Sequence, residues 1–153
     1  MPEKKTLEQA RKDARQGKSP STQAGEFVHE EIKHVREGKH GARSAKQAIA
    51  IGLSKARRSG VKLSAPKRDK TSARTRSQAQ RDARKGRSGK RRRSSARRAQ
   101  ASRRALKRQP RRAASRVALS RHARSAARSR SRADRKQSAR KAARATEGRL
   151  ATR

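Results

Sequence analysis

The chain has 153 residues, a formal net charge of +38 and a single aromatic residue, Phe27. Only 28% of its residues are apolar, a composition typical of chains that cannot bury enough apolar surface to offset their conformational entropy. One globular domain over the whole length is therefore not expected. The absence of cysteine excludes a disulfide framework and a thiolate zinc site. So large a positive charge predicts a polyanionic partner, nucleic acid before any other.

No segment of the sequence resembles a membrane span or a targeting signal. The longest apolar run, at 48–53, is far shorter than the roughly 20 residues that cross a bilayer. The N-terminus has no apolar signal-peptide core, and no glycine follows Met1 for myristoylation. We therefore expect a soluble, cytoplasmic protein with no membrane partner.

Charge divides the chain into two regions. Residues 1–60 hold 14 Lys and Arg against 7 Asp and Glu, whereas residues 61–153 hold 35 against 4. The patterned part ends near residue 63, so we predict a small helical head over 1–63 and an Arg/Ser/Ala-rich basic tail over 64–153. The expected fold class is mainly α with extensive disorder.

The first helix of the head is expected to begin at Thr6. Thr6 and Gln9 have the spacing of a capping box, in which each side chain satisfies a free backbone amide at the helix start. Leu7 and Ala10 then recur at helical spacing, and Gly17 suits the left-handed position that ends a helix.

Ser19 and Pro20 predict the start of a second helix, since proline suits the first helical position. Gly38 is expected to end it. One stripe of this helix is apolar and consists of Ala24, Phe27, Val28, Ile32 and Val35. Glu31 falls inside the stripe, and an unpaired buried carboxylate is costly. We therefore expect Glu31 to pair with a basic residue or to lie at a wet edge.

A second capping box, Ser44 and Gln47, predicts the third helix of the head. Gly52 falls on its apolar face, where a missing side chain permits close approach of another helix. Gly60 followed by Val61 fits a Schellman stop with its apolar contact. The head is thus expected to contain about three helices.

The segment 39–61, KHGARSAKQAIAIGLSKARRSGV, resembles a family of short, basic, uncharacterised bacterial proteins. They share a His-Gly turn, a KQAIAIGLS helix and a basic end. The resemblance implies a bacterial source and supplies no activity. The tail is similar, in composition alone, to bacterial histone-H1-like and protamine-like proteins.

The tail is expected to be disordered, or helical only when bound. Like charges at helical spacing repel in free solution, and Pro110 interrupts any long helix. Nucleic-acid phosphates would remove the repulsion, and the planar arginine fork suits bidentate phosphate contact.

Two groups of basic residues are predicted to contact nucleic acid. Those of the head flank the apolar face of the third helix: Lys46, Lys55, Arg57 and Arg58. Those of the tail surround the densest cluster of charge: Lys90, Arg91, Arg92, Arg93, Arg97, Arg98, Arg103, Arg104, Lys107, Arg108, Arg111 and Arg112. The tail has no aromatic residue on which bases could stack, so binding is expected to be non-specific.

The sequence predicts no enzyme, cofactor or metal site. Gly17-Lys18-Ser19 has the end of a P-loop but lacks its earlier glycine, so a helix stop is the expectation. His29 and His34 are five residues apart, about 140° around a helix, and are expected to be solvated histidines rather than ligands.

The leading functional hypothesis is a histone-like, nucleoid-associated protein that neutralises DNA phosphates, while its head folds, self-associates or contacts a protein. One alternative is an RNA-binding or ribosome-associated basic protein. Another is an interaction or stress-response scaffold whose tail is an electrostatic tether.

A short phrase occurs twice. TLEQARKDARQGKS at 6–19 and TRSQAQRDARKGRS at 75–88 are identical at eight of fourteen positions. The pair indicates an old tandem duplication, with a degenerate second copy of the head over 71–130. At the same offset Leu7 corresponds to Arg76 and Phe27 to Ala96, so the second copy has exchanged apolar residues for charge.

Overall fold

A computed structural model describes residues 2–88 and 95–150, with the backbone alone for 70, 141, 142 and 144–150. The described part contains seven α-helices and no strand: α1 Lys4–Arg15, α2 Pro20–Arg36, α3 Ala45–Arg58, α4 Ala73–Arg87, α5 Ala96–Lys107, α6 Arg116–Arg128 and α7 Arg132–Leu150. Two short 3-10 turns lie at Arg68–Lys70 and Arg111–Ala114. The mainly helical prediction is confirmed. The three helices expected in the head correspond to α1–α3. The structure has four more, α4–α7, in the region expected to be a tail.

The helices belong to two compact units, Met1–Ala118 and Leu119–Arg153. The first unit is built around α2 and α3, with α1 packed on α2 and α4 packed on α3. The second unit holds the C-terminal part of α6 and all of α7.

The expected starts of α2 and α3 are confirmed. The Ser19 hydroxyl accepts the Thr22 amide at 3.3 Å, and the Ser44 hydroxyl accepts the Gln47 amide at 3.2 Å. The Gln47 side chain reaches back to the Arg43 amide at 2.7 Å. Each helix thus begins where a side chain replaces the missing backbone acceptor.

The expected start of α1 at Thr6 is wrong. The helix begins at Lys4, and Glu3 occupies the N-cap position without a side-chain cap. The carboxylate of Glu30 on α2 instead accepts the Glu3 amide at 3.1 Å, and it also accepts a hydrogen bond from the Thr6 side chain. A charged acceptor from a neighbouring helix therefore takes the place of the local capping box.

The predicted glycine stops are confirmed. At the end of α3, Gly60 has φ of 94°, the Val61 amide donates to the Ala56 carbonyl at 3.2 Å, and the Gly60 amide donates to the Arg57 carbonyl at 3.1 Å. This is the hydrogen-bond pattern of a Schellman motif. The same pattern ends α1 and α2.

The centre of the first unit is the contact between α2 and α3. Phe27 and Val35 are fully buried, and Gly52 allows the two backbones to approach closely. A β-carbon at Gly52 would lie 2.7 Å from the Val28 Cα. The sequence predicts that Gly52 permits close approach of another helix, and in the structure this glycine sets the separation between α2 and α3.

The two copies of the repeated phrase form α1 and α4 and bury the same face. Ala10 and Asp13 are buried in α1, and Ala79 and Asp82 are buried in α4. Each aspartate accepts a hydrogen bond from the glutamine one turn before it. In α1, Gln9 donates to Asp13 at 3.3 Å, and in α4, Gln78 donates to Asp82 at 3.1 Å. The repeated sequence therefore specifies the same buried helix face in both copies, which packs on α2 in the case of α1 and on α3 in the case of α4.

The end of α5 and the chain after it pack on the end of α2 and on the loop between α2 and α3. The Gly41 amide donates to the Leu106 carbonyl at 2.9 Å, and the Arg36 Nε donates to the Ala114 carbonyl at 2.9 Å. Ala113 and Ala114 are buried in one cluster with Val35. The first unit consequently includes residues on both sides of position 63.

We expect Gly52→Ala to destabilise the protein by about 1–3 kcal/mol, because the new methyl group would overlap the α2 backbone. Gly25→Ala is the matched control: this glycine is also helical, but its β-carbon would meet nothing within 4 Å. Urea unfolding of both variants measures the difference. Equal midpoints for the two variants would contradict the close packing described.

Candidate nucleic-acid interface

The basic side chains from the end of α4 onwards face solvent. Every Lys and Arg that the structure describes between 83 and 140 is exposed. The chain from 83 to 133 contains 21 Lys and Arg and no Asp or Glu. Exposed cations without interspersed acids produce the field expected of a polyanion-binding surface.

Eight of the predicted tail residues lie on α5 and on the turn after it, and all eight are exposed: Arg97, Arg98, Arg103, Arg104, Lys107, Arg108, Arg111 and Arg112. The other four, Lys90, Arg91, Arg92 and Arg93, lie outside the described residues.

Helix α5 concentrates its charge on one side. At 100° per residue, Arg97, Arg103, Arg104 and Lys107, with the C-cap Arg108, fall within an arc of about 140°, and Arg98 is the one basic residue of α5 outside it. Leu106 lies outside this arc and is half-buried, and no residue of α5 is fully buried. The helix thus presents a cationic face that its own packing leaves open.

The four predicted residues of the head lie in different surroundings. Lys46 is exposed. The Lys55 ammonium contacts Glu30 at 3.2 Å and Glu31 at 2.7 Å. Arg57 is buried and donates from Nη2 to the Ser64 carbonyl at 3.1 Å. Their flanking positions on α3 therefore do not make them one surface.

Arg58, the fourth of these residues, is half-exposed and binds back onto the fold. Its Nη2 donates to the Ser54 hydroxyl at 3.0 Å, and its Nε lies 3.6 Å from the Asp82 carboxylate on α4. Of the four, Lys46 alone combines exposure with freedom from a contact in the described part of the chain.

Buried charge in the head is arranged as a network between α2, α3 and the N-terminus. Glu31 is fully buried and pairs with Lys55, which confirms the expectation of a basic partner. Burial raises the pKa of Glu30, but hydrogen bonds from Thr6 and the Glu3 amide, together with the Lys55 ammonium, outweigh it and lower that pKa. The Glu30 carboxylate therefore stays charged inside the fold.

The N-terminal segment is tied to the same network by Glu3. Its carboxylate lies 2.8 Å from His34 Nε2 and 3.1 Å from Lys39 Nζ. These two hydrogen bonds lower the pKa of Glu3 to about 2, and the same carboxylate raises the pKa of Lys39.

A cationic groove between the end of α3 and α4 was missed by the sequence analysis. It has a volume of about 810 Å³ and is lined by Arg57, Lys62, Arg84 and Arg87, among others. The Arg57 Nε is buried and has no hydrogen-bond partner, and burial lowers the pKa of Arg57 although Asp82 raises it. No motif in the sequence signals the groove, because its walls come from the segment after α3 and from α4.

The P-loop-like segment and His29 lie as the sequence predicts, whereas His34 does not. Gly17 ends α1 and the Lys18 ammonium pairs with Asp13 at 2.7 Å, so the predicted helix stop is confirmed. His29 is exposed as expected. The expectation that His34 is solvated is wrong, because the packing of the N-terminal segment covers it.

Residues 15–69 are similar to a family of unknown function (DUF6496). This range contains the segment 39–61 and covers α2 and α3. Neither the curated proteins nor the solved structures give a significant match. In the described part of the chain, no helix has the length and apolar character needed to span a membrane.

We expect Lys55→Met to destabilise the protein by about 3–5 kcal/mol, since it leaves the buried Glu30 and Glu31 without their cation. Lys46→Met on the same helix is the exposed control and should change stability by less than about 0.5 kcal/mol. Urea unfolding followed by circular dichroism provides both values. Adding Glu31→Gln to Lys55→Met should recover part of the loss, and a double variant no more stable than the single one would contradict the pairing.

Acid should release the N-terminal segment. Since the pKa of Glu3 is about 2 in the fold and ordinarily 4.5, its contribution is present above pH 4.5 and is lost as the pH falls towards 2. The urea midpoint of the wild type should therefore exceed that of Glu3→Gln at pH 5, and the two should converge towards pH 2. A difference that stays constant over this range would contradict the contacts of Glu3.

Proposed function

We propose that the protein binds nucleic acid non-specifically, DNA in the first place, and acts as a histone-like, nucleoid-associated protein by neutralising phosphates. The observation that carries this proposal is the run of 21 Lys and Arg without an acid over 83–133, whose described cations are all exposed. Neutralised phosphates release their counterions, and this release supplies most of the free energy of non-specific binding.

The fold supports the proposal by burying four of the eleven carboxylates of the chain. Asp13, Glu30, Glu31 and Asp82 are buried, and each contacts a cation of the folded unit. They cannot compete with phosphates for the arginines of the tail. Between 83 and 133, where the sequence has no acid, the charge is available to an external polyanion.

Helices α5, α6 and α7 are the proposed bound form of the tail. In free solution the repulsion between like charges at i,i+4 opposes helix formation, and phosphates remove that penalty. Neither α5 nor α6 buries a residue completely, so packing offers these helices little stabilisation of their own. Coupled folding and binding is the expected behaviour of such segments.

The proposed binding does not depend on base sequence. The tail has no aromatic residue to stack on bases, and arginine contacts to phosphate carry no sequence information. A bacterial cytoplasmic location on the nucleoid forms part of the proposal, and so does a preference for DNA over RNA.

A salt titration with duplex DNA tests the proposal. Replacing Arg97, Arg98, Arg103 and Arg104 by Gln should lower the affinity and reduce the magnitude of the slope of log K against log salt by up to about 3.6, at 0.9 per phosphate contact. The matched control removes four exposed cations of α1, namely Lys4, Arg11, Lys12 and Arg15, and should change the slope less.

Fluorescence anisotropy with duplexes of unrelated sequence supplies the measurement, and structured RNA of equal length is the competitor. Equal affinity for the duplexes and a weaker competition by RNA are expected. An affinity that does not change with salt, or an equal loss in both quadruple variants, would contradict phosphate binding by the tail. Stronger competition by RNA would support the RNA-binding alternative.

A further inference from the structure

We propose that Glu31, His34 and His40 form a binding site for a divalent transition-metal ion, with zinc as the best chemical match. One nitrogen from each histidine and one oxygen of Glu31 lie within 4.8 Å of one another. Glu31 is fully buried and His34 is buried, while His40 is partly exposed. Glu31 and His34 are neighbours at i and i+3 on α2, and the packing of the α2–α3 loop adds His40 to them.

The hydrogen bonds of the histidines present the correct nitrogens to the site. A carboxylate and a carbonyl can only accept, so His34 donates from Nε2 to Glu3 at 2.8 Å and His40 donates from Nδ1 to the Gly41 carbonyl at 3.2 Å. In the neutral rings, Nδ1 of His34 and Nε2 of His40 then carry the lone pairs. A histidine that binds a metal usually donates its other nitrogen to an oxygen acceptor in this way.

The distances suit a tetrahedral ion after a small adjustment. Ligands at 2.0–2.1 Å from zinc are separated by about 3.3 Å, and His40 Nε2 already lies 3.3 Å from Glu31 Oε1. The His34 nitrogen needs to move inward by on the order of 1 Å, within the freedom of a side-chain rotation. Since His40 is partly exposed, a water molecule from solvent is the proposed fourth ligand.

The local charge also favours a cation. Three carboxylates, Glu3, Glu30 and Glu31, face two ammonium groups, Lys39 and Lys55. Both oxygens of Glu31 are buried, and although they contact Lys55 and His40, neither accepts a hydrogen bond of good geometry. Since Lys55 engages Oε2 at 2.7 Å, Oε1, which faces His40, is the oxygen available to a metal. Two imidazoles and one carboxylate form a donor set that zinc binds and that magnesium and calcium do not prefer.

A bound ion would join three parts of the first unit. Glu31 and His34 belong to α2, His40 belongs to the α2–α3 loop, and Glu3 would support His34 from the N-terminal segment. The same loop holds the chain after α5 through the Gly41 amide. Metal binding is thus expected to stabilise the head and the docking of 106–114 together.

Isothermal titration of the full-length, tag-free and chelator-treated protein with Zn²⁺ tests this site in the absence of nucleic acid. One ion per chain is expected, and His40→Ala should weaken the affinity at least tenfold. His29→Ala and His122→Ala are the matched controls, because they remove the two histidines outside the site, and they should bind like the wild type.

Glu31→Gln, which conserves shape, provides a second variant, and circular dichroism verifies that each variant is folded. Co²⁺ should give the intense visible absorption of a four-coordinate site in the wild type and in both control variants. Non-saturable binding, unchanged affinity in both folded site variants, or an equal loss in a control variant would overturn the proposal. Because no nucleic acid is present, this outcome is independent of the DNA-binding measurement.

Discussion

The pairing of Lys55 with Glu30 and Glu31 is the interaction on which the rest of the first unit depends. It places a cation from α3 between two buried carboxylates of α2, at the helix contact that also includes Phe27 and Gly52. Moving a charge into the interior costs several kcal/mol unless it is paired. Because few large apolar residues are present, the ion pairs of Lys55 with Glu30 and Glu31 determine how α2 and α3 pack against each other. Through Glu30, the same network fixes the N-terminus of α1.

This internal pairing sorts the charges of the chain. Three acidic residues of the head, Asp13, Glu30 and Glu31, are buried, and Asp82 of α4 repeats the arrangement of Asp13 on the other side of the α2–α3 pair. Basic residues of the tail remain outside, and every Lys and Arg between 83 and 140 that the structure describes is exposed. Folding of the head therefore increases the contrast between a self-neutralised core and a cationic surface, which is the property that the proposed function uses.

Local signals made much of the fold predictable. The caps at Ser19 and Ser44, the stop at Gly60 and the close approach at Gly52 each follow from backbone chemistry within a few residues. The start of α1 could not be predicted, because its acceptor is Glu30, 27 residues away. The same limit applies to the site: exposure on α5 follows from composition, whereas the burial of Arg57 and His34 depends on segments distant in sequence, as does the groove beside α4.

The central claim is that a folded head, whose buried carboxylates pair with its own cations, carries a tail that binds phosphates. Hydrogen exchange of the full chain, resolved by peptide and compared with and without duplex DNA, tests it most directly. The account predicts that amides in 95–140 gain protection on binding, while those in 20–58 stay as slow as in the free protein. New protection confined to 20–58, with none in 95–140, would contradict it.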